Sequence, residues 1–398
     1  MFGAIYVGLS GLNAYSRGLQ QVSNNVTNLN TQGFKASTVS FKDVFGAQGN
    51  GGLSYSSGQG SPGHGVENAD TQLNLAAGEL RQTDRDLDLA VDGSGFLTLL
   101  RGSEIAYTRT GSFEVDKDGY IVLSGTQYRL ATMDEAGHAV ALSVDASRTS
   151  PPVATTKVTF ADNLSADAVA DQDHPIGIGN ILVYDKGGAQ HTWTPQFVKD
   201  TTAPHQWLVT VKDSTGKVIG TQTLKFDADG HIDPSTATLA FTDSDAGLSV
   251  NFDMSTITSF SFGSVITLRS ASVDGNAPGS ITTVTINEAG QLELGYSNSQ
   301  KKQLGAIAIS DFRDPQALKQ RSGGLFTDGG NAGRETVASG DPRVGKVVSR
   351  RLEASNVDLS KEFGDLILIQ RGFQASSQII SVANDMIQQL FGIRGQGG

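Results

Sequence analysis

The sequence predicts an α+β protein in which a helix at each end of the chain flanks a mainly antiparallel β middle. Apolar residues recur at alternating steps of four and three in the first and last segments, a heptad pattern typical of helices that pack together. Between these segments, short runs rich in Val, Ile, Thr and aromatic residues are separated by Asp-x-x-Gly sequences, which indicates strands joined by tight turns. The two ends are therefore expected to form a coiled-coil-like pair.

The first segment carries an amphipathic stripe. A helix of this length owes most of its stability to burial of its stripe and is marginal alone in water, so the stripe predicts a partner. The heptad positions are Ile5, Leu9, Leu12, Ser16, Leu19, Ser23 and Val26. The residues predicted to make assembly contacts are Ile5, Leu9, Leu12, Leu19, Val22 and Val26.

The last segment carries a matching and longer stripe. Its heptad positions are Leu359, Phe363, Leu366, Gln370, Phe373, Ser377, Ile380, Asn384, Ile387 and Phe391. The residues predicted to make assembly contacts are Phe363, Leu366, Phe373, Ile380, Ile387 and Phe391. One terminal helix could pack on a central domain instead, but two matched stripes favour a helical pair. Small polar residues at stripe positions favour helices that are shared among several neighbouring chains.

The β middle is divided by composition. Asp or Asn begins a turn by bonding its own backbone and Gly closes it with a positive φ, at 116–119, 134–137, 185–188, 213–216, 227–230 and 287–290. Strands are expected at 157–160, 180–184, 207–212 and 282–286. Composition changes near 147–152 and 277–280 predict an outer β domain at 151–282, inserted in a parent β domain made of 78–150 and 283–344. The remaining layers would be a helical core of 1–29 with 359–398 and an extended linker of 30–77 with 345–358.

Two polar, glycine-rich segments show no pattern of a helix or a strand. Residues 46–65 hold little but Gly, Ser, Gln and Asn, and residues 323–333 are similar but shorter. Such segments are either flexible connections or functional loops, and composition alone leaves both readings open.

Composition excludes several classes of protein. A length of 398 residues suits two or three domains, and a net charge of -11 with no basic stripe disfavours a nucleic-acid partner. The chain has no cysteine, so disulfides and thiolate metal sites are excluded. No run of apolar residues is long enough to span a membrane, and Arg17 is the only basic residue of the first thirty, so a cleavable secretory signal is not expected. A cytoplasmic location is the default, unless an export machine recognises the chain without such a signal.

No catalytic, cofactor or metal constellation is found, so an enzyme is not predicted. Gly58, Gly60 and Gly63 fit G-x-G-x-x-G, but no strand precedes and no helix follows them, as a dinucleotide site requires. The spacing of Asp227, Asp229 and Asp233 does not complete a calcium loop, and the six histidines have no metal-ligand spacing.

Specific words at both ends resemble the signatures of the axial proteins of bacterial flagella, which are the rod, hook and hook-associated proteins. The N-terminal word consists of 23–28 followed by 31–37, and the C-terminal word consists of 352–359 followed by 370–376. Two internal words, 86–91 with 95–96 and 296–300 with 304–305, also match. The signature residues are Asn24, Asn25, Asn28, Gly33, Phe34, Lys35, Glu353, Ala354, Ser355, Asn356 and Val357. At the inner ends of the helices, Gly33 permits a sharp departure of the chain and Asp358 is a suitable N-cap, with Glu362 in the first turns.

Within this family the inserted domain is the discriminating feature. A distal rod protein usually lacks a separate domain as large as 151–282, whereas hook subunits have one, and 181–191 resembles a strand and turn of that domain. The resemblance implies export by the flagellar type III path and polymerisation into a curved, flexible tube outside the cell, acting as a universal joint. Implied partners are copies of the chain itself, rod, hook cap and hook-associated junction proteins, and the export apparatus, with no membrane insertion. The long 46–65 linker keeps a rod or junction role open.

A rival prediction from another class is a surface adhesin that binds glycans through the 151–282 domain. Trp193, Trp207 and Tyr184 could stack on sugar rings, although aromatic residues in such runs are more often part of a core.

Overall fold

The computed structural model describes residues 2–43, 65–69 and 71–395. The chain divides into two compact units. The terminal unit comprises Met1–Asp145, Val284–Glu293 and Gln303–Gly398, and the central unit comprises Ala146–Thr283 and Leu294–Lys302. Most of the 46–65 linker and all of the Gly58, Gly60 and Gly63 motif lie outside the described residues.

The two long helices are the terminal elements that the heptads predict. Helix α1 spans Phe2–Thr27 and helix α2 spans Leu359–Gly395. They pack against each other within the terminal unit, where Gly8 lies beside Ile380 and Gly18 lies beside Ile369, so the helices run antiparallel. The α+β fold class with a terminal helical pair is confirmed.

The strands that follow α1 form the first part of the terminal unit. They are β1 (Ser37–Thr38), β2 (Phe41–Asp43), β3 (Val66–Asn68), β4 (Gln72–Leu73), β5 (Leu80–Gln82), β6 (Asp88–Asp92), β7 (Phe96–Arg101), β8 (Glu104–Thr108), β9 (Thr110–Val115), β10 (Ile121–Leu123), β11 (Arg129–Met133) and β12 (Ala139–Ala141).

The strands of the central stretch come next. They are β13 (Thr149–Ser150), β14 (Lys157–Ala161), β15 (Ile176–Gly177), β16 (Ile181–Tyr184), β17 (Gln190–Lys199), β18 (Gln206–Lys212), β19 (Val218–Lys225), β20 (Thr238–Asp243), β21 (Leu248–Asp253) and β22 (Arg269–Val273).

The last strands lead back to α2. They are β23 (Gly279–Ile286), β24 (Gln291–Tyr296), β25 (Lys301–Ala306), β26 (Ala308–Phe312), β27 (Leu318–Gln320), β28 (Leu325–Asp328), β29 (Arg334–Ala338), β30 (Lys346–Ser349) and β31 (Arg351–Glu353). Short 3-10 turns occupy Asp145–Ser147, Pro234–Thr236, Pro315–Ala317 and Ser322–Gly324.

The terminal unit is built on a twelve-stranded sheet. Its main path runs β27-β28-β8-β7-β11-β10-β9-β6-β30, with β12 on β11 and with β26 bridging β7 and β29. Two-stranded ribbons of β1 with β4, β2 with β3 and β5 with β31 lie outside that sheet. Phe96, Tyr107, Phe312 and Phe326 pack edge to face in its core, where they join strands β7, β8, β26 and β28.

The central unit contains a four-stranded sheet, β20-β21-β14-β22, and a five-stranded sheet in which β16 joins the path β15-β17-β18-β19. Their shared core is filled by Trp193, Trp207, Phe160 and Phe252, none of which is more than 1 % exposed. Strands β14 and β21 pair in parallel, a departure from the antiparallel expectation for neighbouring runs.

The six predicted turns are present. In each, the Gly amide donates to the carbonyl of the residue three positions earlier, and the Gly has φ between +72° and +87°. Each predicted strand segment falls on an observed strand, since 157–160, 180–184, 207–212 and 282–286 overlap β14, β16, β18 and β23. The turn chemistry that the sequence displays therefore organises the β middle.

Candidate functional site

The contact between α1 and α2 is made by small residues on α1. Gly8, Gly11, Ala14 and Gly18 are all buried and recur at steps of three and four. A Cβ placed on Gly11 would lie 2.5 Å from Ser376 Oγ, and a Cβ placed on Gly8 would lie 2.7 Å from Ile380 Cγ1. The two backbones approach closely because these positions have almost no side chain.

The bulky stripe of α1 lies largely away from this contact. Leu9 is 54 % exposed and Leu19 is 45 % exposed, whereas Ile5, Leu12 and Val26 are half-buried. Val22 is the one predicted assembly residue of α1 that is buried. Within one chain, therefore, α1 buries its small face and leaves much of its leucine stripe uncovered.

On α2 the seven-residue period is present in a different phase from the predicted one. The buried positions are Glu362, Ile369, Ser376 and Ala383. The polar members of the predicted stripe lie outside this contact, because Gln370, Ser377 and Asn384 are exposed within the single chain. Ile369 and Ser376 lie beside glycines of α1, and Glu362 contacts Asn25. Hydrophobicity alone does not mark Glu362, Ser376 or Ala383 as buried positions.

The predicted apolar contacts of α2 divide into two groups. Leu366, Ile380 and Ile387 are half-buried, while Phe363 and Phe373 are exposed at 52 % and 43 %. The side chain of Phe391 lies outside the described residues. Further exposed apolar side chains of α2, which the heptad analysis missed, are Ile367, Leu368, Ile379, Val382 and Met386. Large apolar faces of both helices thus have no cover within the described chain.

A buried ionic cluster joins the two signature words. Lys35 lies within the N-terminal word, Glu353 is the second residue of the C-terminal word, and Arg109 comes from the turn between β8 and β9. Lys35 Nζ lies 2.5 Å from Glu353 Oε1, and Arg109 Nε lies 3.1 Å from Glu353 Oε2. The side chains of Lys35 and Glu353 are fully buried and that of Arg109 is 2 % exposed. We call these three residues the anchor cluster.

Backbone groups complete the anchor cluster. The Gly78 amide donates to Glu353 Oε1 at 2.8 Å, and Lys35 Nζ donates to the Ala76 carbonyl at 2.7 Å. Arg109 donates to the carbonyls of Val91, Gly93 and Gly95. Burial lowers the pKa of Lys35, and the neighbouring Glu353 carboxylate opposes that shift. Two cations share one carboxylate here, and the carbonyl oxygens stabilise the positive charge that this carboxylate leaves uncompensated.

A second contact ties α1 to the start of α2. The Asn25 side chain is buried, donates to the Ser37 carbonyl at 2.9 Å and accepts from the Ser37 amide at 3.1 Å. It also donates to Glu362 Oε1 at 3.0 Å. Burial raises the pKa of Glu362, and the Asn25 hydrogen bond opposes that change. Asn25 therefore connects α1, β1 and α2 through one amide.

The remaining signature residues hold the chain on either side of the anchor cluster. Asn356 accepts from the Ala36 amide at 2.8 Å and donates to the carbonyls of Asn74 and Ala76. Phe34 and Val357 pack together with Ala36. The other signature contacts are Asn28 Nδ2 to the Asn24 carbonyl, the Gly33 amide to the Glu353 carbonyl, the Ala354 amide to the Glu79 carbonyl and the Val357 amide to Ser355 Oγ.

Sequence reasoning missed Arg109, Gly78 and Ser37 as parts of this site. The available signal was an arginine within an otherwise apolar and threonine-rich stretch that becomes β8 and β9, since a charge in such a run needs a buried partner. The N-cap of α2 follows expectation, because Asp358 Oδ1 accepts from the Ser360 amide at 2.8 Å.

Of the three aromatic residues in the glycan-binding prediction, both tryptophans are buried and Tyr184 is half-buried. Trp193 is fully buried and Trp207 is 1 % exposed, so neither ring can stack on a sugar. The Asp227 carboxylate accepts from backbone amides of its own turn, and Asp233 caps the Pro234–Thr236 turn. Among the described residues, no three His, Asp or Glu side chains are grouped as metal ligands. None of the described helices combines the length and apolarity that crossing a bilayer requires.

Four family models match successive parts of the chain. Residues 5–35 match flagella basal body rod protein, and residues 348–393 match the flagellar basal body rod FlgEFG protein C-terminal family. Residues 90–160 match the flagellar hook protein FlgE/F/G D1 domain, and residues 179–276 match the flagellar basal body protein FlaE D2 domain. Most of each helix and the anchor cluster residues Lys35, Arg109 and Glu353 fall within these matches.

Relatives match over nearly the whole length. The flagellar hook protein FlgE of Borreliella burgdorferi is 28 % identical over 98 % of this chain and 99 % of its own. The flagellar hook protein FlgE of Salmonella typhimurium is 27 % identical over 97 % of this chain and 98 % of its own. A solved hook protein, FlgE2 of Helicobacter pylori, aligns with 70 % of this chain and 100 % of its own at 13 % identity and a TM-score of 0.47, too low to establish a shared fold by itself. With these four models matched in order along the chain, the chain belongs to the family of flagellar rod and hook proteins, and over nearly its whole length it is similar to hook proteins.

Proposed function

We propose that this chain is the structural subunit of a flagellar hook, a tubular polymer of identical copies in which the terminal helices of neighbouring subunits pack together. The observation that carries the proposal is the exposed apolar surface of α1 and α2, represented by Leu9, Leu19, Phe363 and Phe373. Monomeric proteins rarely leave contiguous apolar surface of this kind in water. Copies of the same helices are a suitable cover because the exposed faces recur at heptad spacing.

The division between small and bulky faces supports a layered assembly. The Gly8, Gly11 and Gly18 face is satisfied by α2 of the same chain, so it leaves the bulky faces for contacts between copies. The anchor cluster joins the segments that connect α1 and α2 to the β strands of the terminal unit. Each subunit would thus present a preformed helical pair, and burying apolar area between pairs would drive polymerisation.

The layers of the proposed polymer follow the domain order along the chain. Residues 1–29 with 359–398 would form the inner core, 30–77 with 345–358 the linker, 78–150 with 283–344 the parent β domain and 151–282 the outer domain. Exposed polar contacts between outer domains are weak, each worth about 0 to 1 kcal/mol, and can exchange as a tube bends. A curved tube of this kind would act as a universal joint outside the cell.

Further partners are part of the same proposal. Rod, hook cap and hook-associated junction proteins would contact the two ends of the tube through similar terminal helices. Passage through the flagellar type III export apparatus would require an unfolded chain, which is compatible with the absence of cysteine and thus of disulfides. The proposed function involves packing and no enzymatic step.

The test replaces bulky exposed residues of α1 without touching the intramolecular contact. Leu9→Asn combined with Leu19→Asn should abolish tube formation, while the purified subunit keeps its melting temperature. Gln20→Asn is the matched control, because Gln20 is exposed on the same helix and is polar. Electron microscopy of polymer from the full chain gives the readout, and a curved tube distinguishes a hook from a straight rod.

Two results would contradict this assignment. The first is normal tube assembly by the Leu9 and Leu19 double variant. The second is assembly of hollow tubes by a chain that lacks the first thirty and last forty residues, since no terminal helix would then remain to form the core.

A further inference from the structure

One methionine lies on the exposed apolar surface of α2. The sequence has four methionines, and the side chain of Met386 is 52 % exposed, whereas Met254 is fully buried in the central unit and Met133 is half-buried on β11. A methionine thioether is apolar and adaptable, but oxidants convert it into a polar sulfoxide. Met386 therefore combines an apolar surface position with access to small oxidants in water.

Met386 belongs to an exposed stripe along one face of α2. Ile379 and Val382 lie seven and four residues before it and are 45 % and 50 % exposed, a spacing that places all three on one face of a helix. Leu368, which is 67 % exposed, begins the same face about five turns earlier. The buried Ala383 lies on the adjacent face. We call Leu368, Ile379, Val382 and Met386 the methionine stripe.

Exposed apolar residues of α1 lie at the level of the methionine stripe. Gly8 of α1 lies beside Ile380, the residue that follows Ile379 of the stripe. Tyr6 and Leu9 flank Gly8 along α1 and are 63 % and 54 % exposed. One helix pair therefore presents two apolar surfaces at the same level, and a second copy carries the matching partners for both. A thioether also makes favourable contacts with aromatic rings.

We propose that Met386 is a site of oxidative modification in the free subunit and that its sulfoxide opposes assembly. The inference rests on the proposed function, in which a second copy covers the methionine stripe. The thioether sulfur attacks one oxygen of hydrogen peroxide, so that an S–O bond forms as the O–O bond breaks. The sulfur loses two electrons, and the departing hydroxide takes the proton of the transferred oxygen and becomes water.

The sulfoxide changes assembly and leaves the free subunit intact. In the free subunit the new oxygen stays in water, which donates the hydrogen bonds that it accepts. The other side chains of the methionine stripe have no hydrogen-bond donor, so covering the oxygen with a second copy would bury an unpaired polar group. Oxidised subunits would therefore assemble poorly, whereas subunits already in a tube would resist the same oxidant.

The first experiment compares oxidation rates in subunit and tube. Full-length subunit and preassembled tubes are treated with the same concentration of hydrogen peroxide and quenched with free methionine, and sulfoxide at each position is measured by mass spectrometry. In the subunit, Met386 should oxidise much faster than Met254. In tubes, its rate should fall to that of Met254. An equal rate at Met386 in subunit and tube would overturn the proposal, because the sulfur would then lie outside the contact.

The second experiment measures assembly of the oxidised subunit. Oxidation at Met386 should raise the subunit concentration needed for polymer formation by about tenfold, as expected for the burial of one unpaired polar group. Reduction by methionine sulfoxide reductases with a thiol should restore normal assembly.

Three variants assign the effect to one sulfur. Met386→Leu keeps the volume and the apolar character of the side chain, so it should assemble equally well before and after peroxide treatment. Met133→Leu is the matched control and should remain as sensitive to peroxide as the wild type. Met386→Gln places a polar group at the same position without an oxidant and should raise the concentration needed for assembly as the sulfoxide does.

The outcomes separate this inference from the proposed function. Normal assembly by the oxidised subunit or by Met386→Gln, or loss of assembly by Met386→Leu after peroxide treatment, would overturn the role of Met386 and leave the hook assignment standing. Failure of the untreated wild-type chain to form tubes would overturn both.

Discussion

At the scale of single residues, Glu353 joins two buried cations and a backbone amide. It is the only carboxylate in contact with Lys35 and Arg109 among the described residues, and all three side chains are buried. Removal of one member of a buried ionic group leaves uncompensated charge, which costs much more than loss of an exposed pair. The anchor cluster is therefore a sensitive point of the terminal unit.

Glu353→Gln should lower the free energy of unfolding of the terminal unit by about 3 to 5 kcal/mol, because two buried cations lose their counter-ion. Hydrogen exchange in β6 and β9 measures the stability of this unit. Tryptophan fluorescence would not, because both tryptophans lie in the central unit. The control is the exposed Lys346→Met, for which a change within about 0.5 kcal/mol is expected. Similar exchange rates in both variants would show that the cluster does not stabilise the fold.

Glu362 makes the stability of the helix pair depend on pH. Burial raises its pKa above the ordinary value of 4.5, so the folded protein binds this proton more tightly than the unfolded chain. The stabilisation is complete below pH 4.5 and is lost as the pH rises through the higher pKa of the folded state. Glu362→Gln should flatten this part of the pH profile of the melting temperature. An unchanged profile in that variant would assign the dependence to another group.

Several residue contacts could be foreseen from local chemistry and several could not. The Asp-x-x-Gly turns and the Asp358 cap were predictable because each depends on residues next to each other in the chain. Lys35 and Glu353 were marked only by the family resemblance, and Arg109 was not marked at all. Their association depends on contacts between distant parts of the chain, which residue type and spacing do not reveal.

At the scale of elements, the heptad period was predictable and the contact face was not. Hydrophobicity marks Leu9, Leu19 and Phe373, but the helices approach through Gly8, Gly11 and Gly18. Close approach of two helices depends on the absence of side chains, which a search for apolar residues overlooks. The parallel pairing of β14 with β21 was missed for a related reason, because it joins strands that many residues separate.

Gly11→Leu should weaken the α1 and α2 contact by about 1 to 3 kcal/mol, because an added side chain overfills a packed interface. Gly3→Leu is the matched control, since a Cβ at Gly3 meets nothing within 4 Å. The measurement is hydrogen exchange across residues 369–383 of α2, which should accelerate only in the Gly11 variant. Equal exchange in the two variants would indicate that the helices are held together by other contacts.

At the scale of the whole molecule, the two kinds of surface predict different stabilities. The twelve-stranded sheet buries its own core, whereas the helices leave bulky residues such as Phe363 and Ile367 in water. Elements with few buried apolar contacts open at lower free energy. The isolated subunit should therefore exchange amide hydrogens faster in α1 and α2 than in β6 to β11.

Polymerisation should protect the amide hydrogens of both helices. We expect exchange in residues 5–26 and 359–387 to slow strongly in tubes, because neighbouring helices cover the exposed apolar faces. Measurement on subunit and polymer at the same pH and temperature tests this expectation. Strong protection of both helices in the isolated subunit would mean that the helix pair is already satisfied and needs no neighbour.

The position of the anchor cluster has a consequence for incomplete chains. Lys35 and Glu353 are 318 residues apart, so their ion pair exists only when almost the entire polypeptide is present. A fragment that ends before Glu353 would offer Lys35 and Arg109 no counter-ion, so burial of Lys35 would be unfavourable and the N-terminal arm would stay undocked. A prematurely ended copy would therefore lack the contact that joins the start of the chain to the strand before α2.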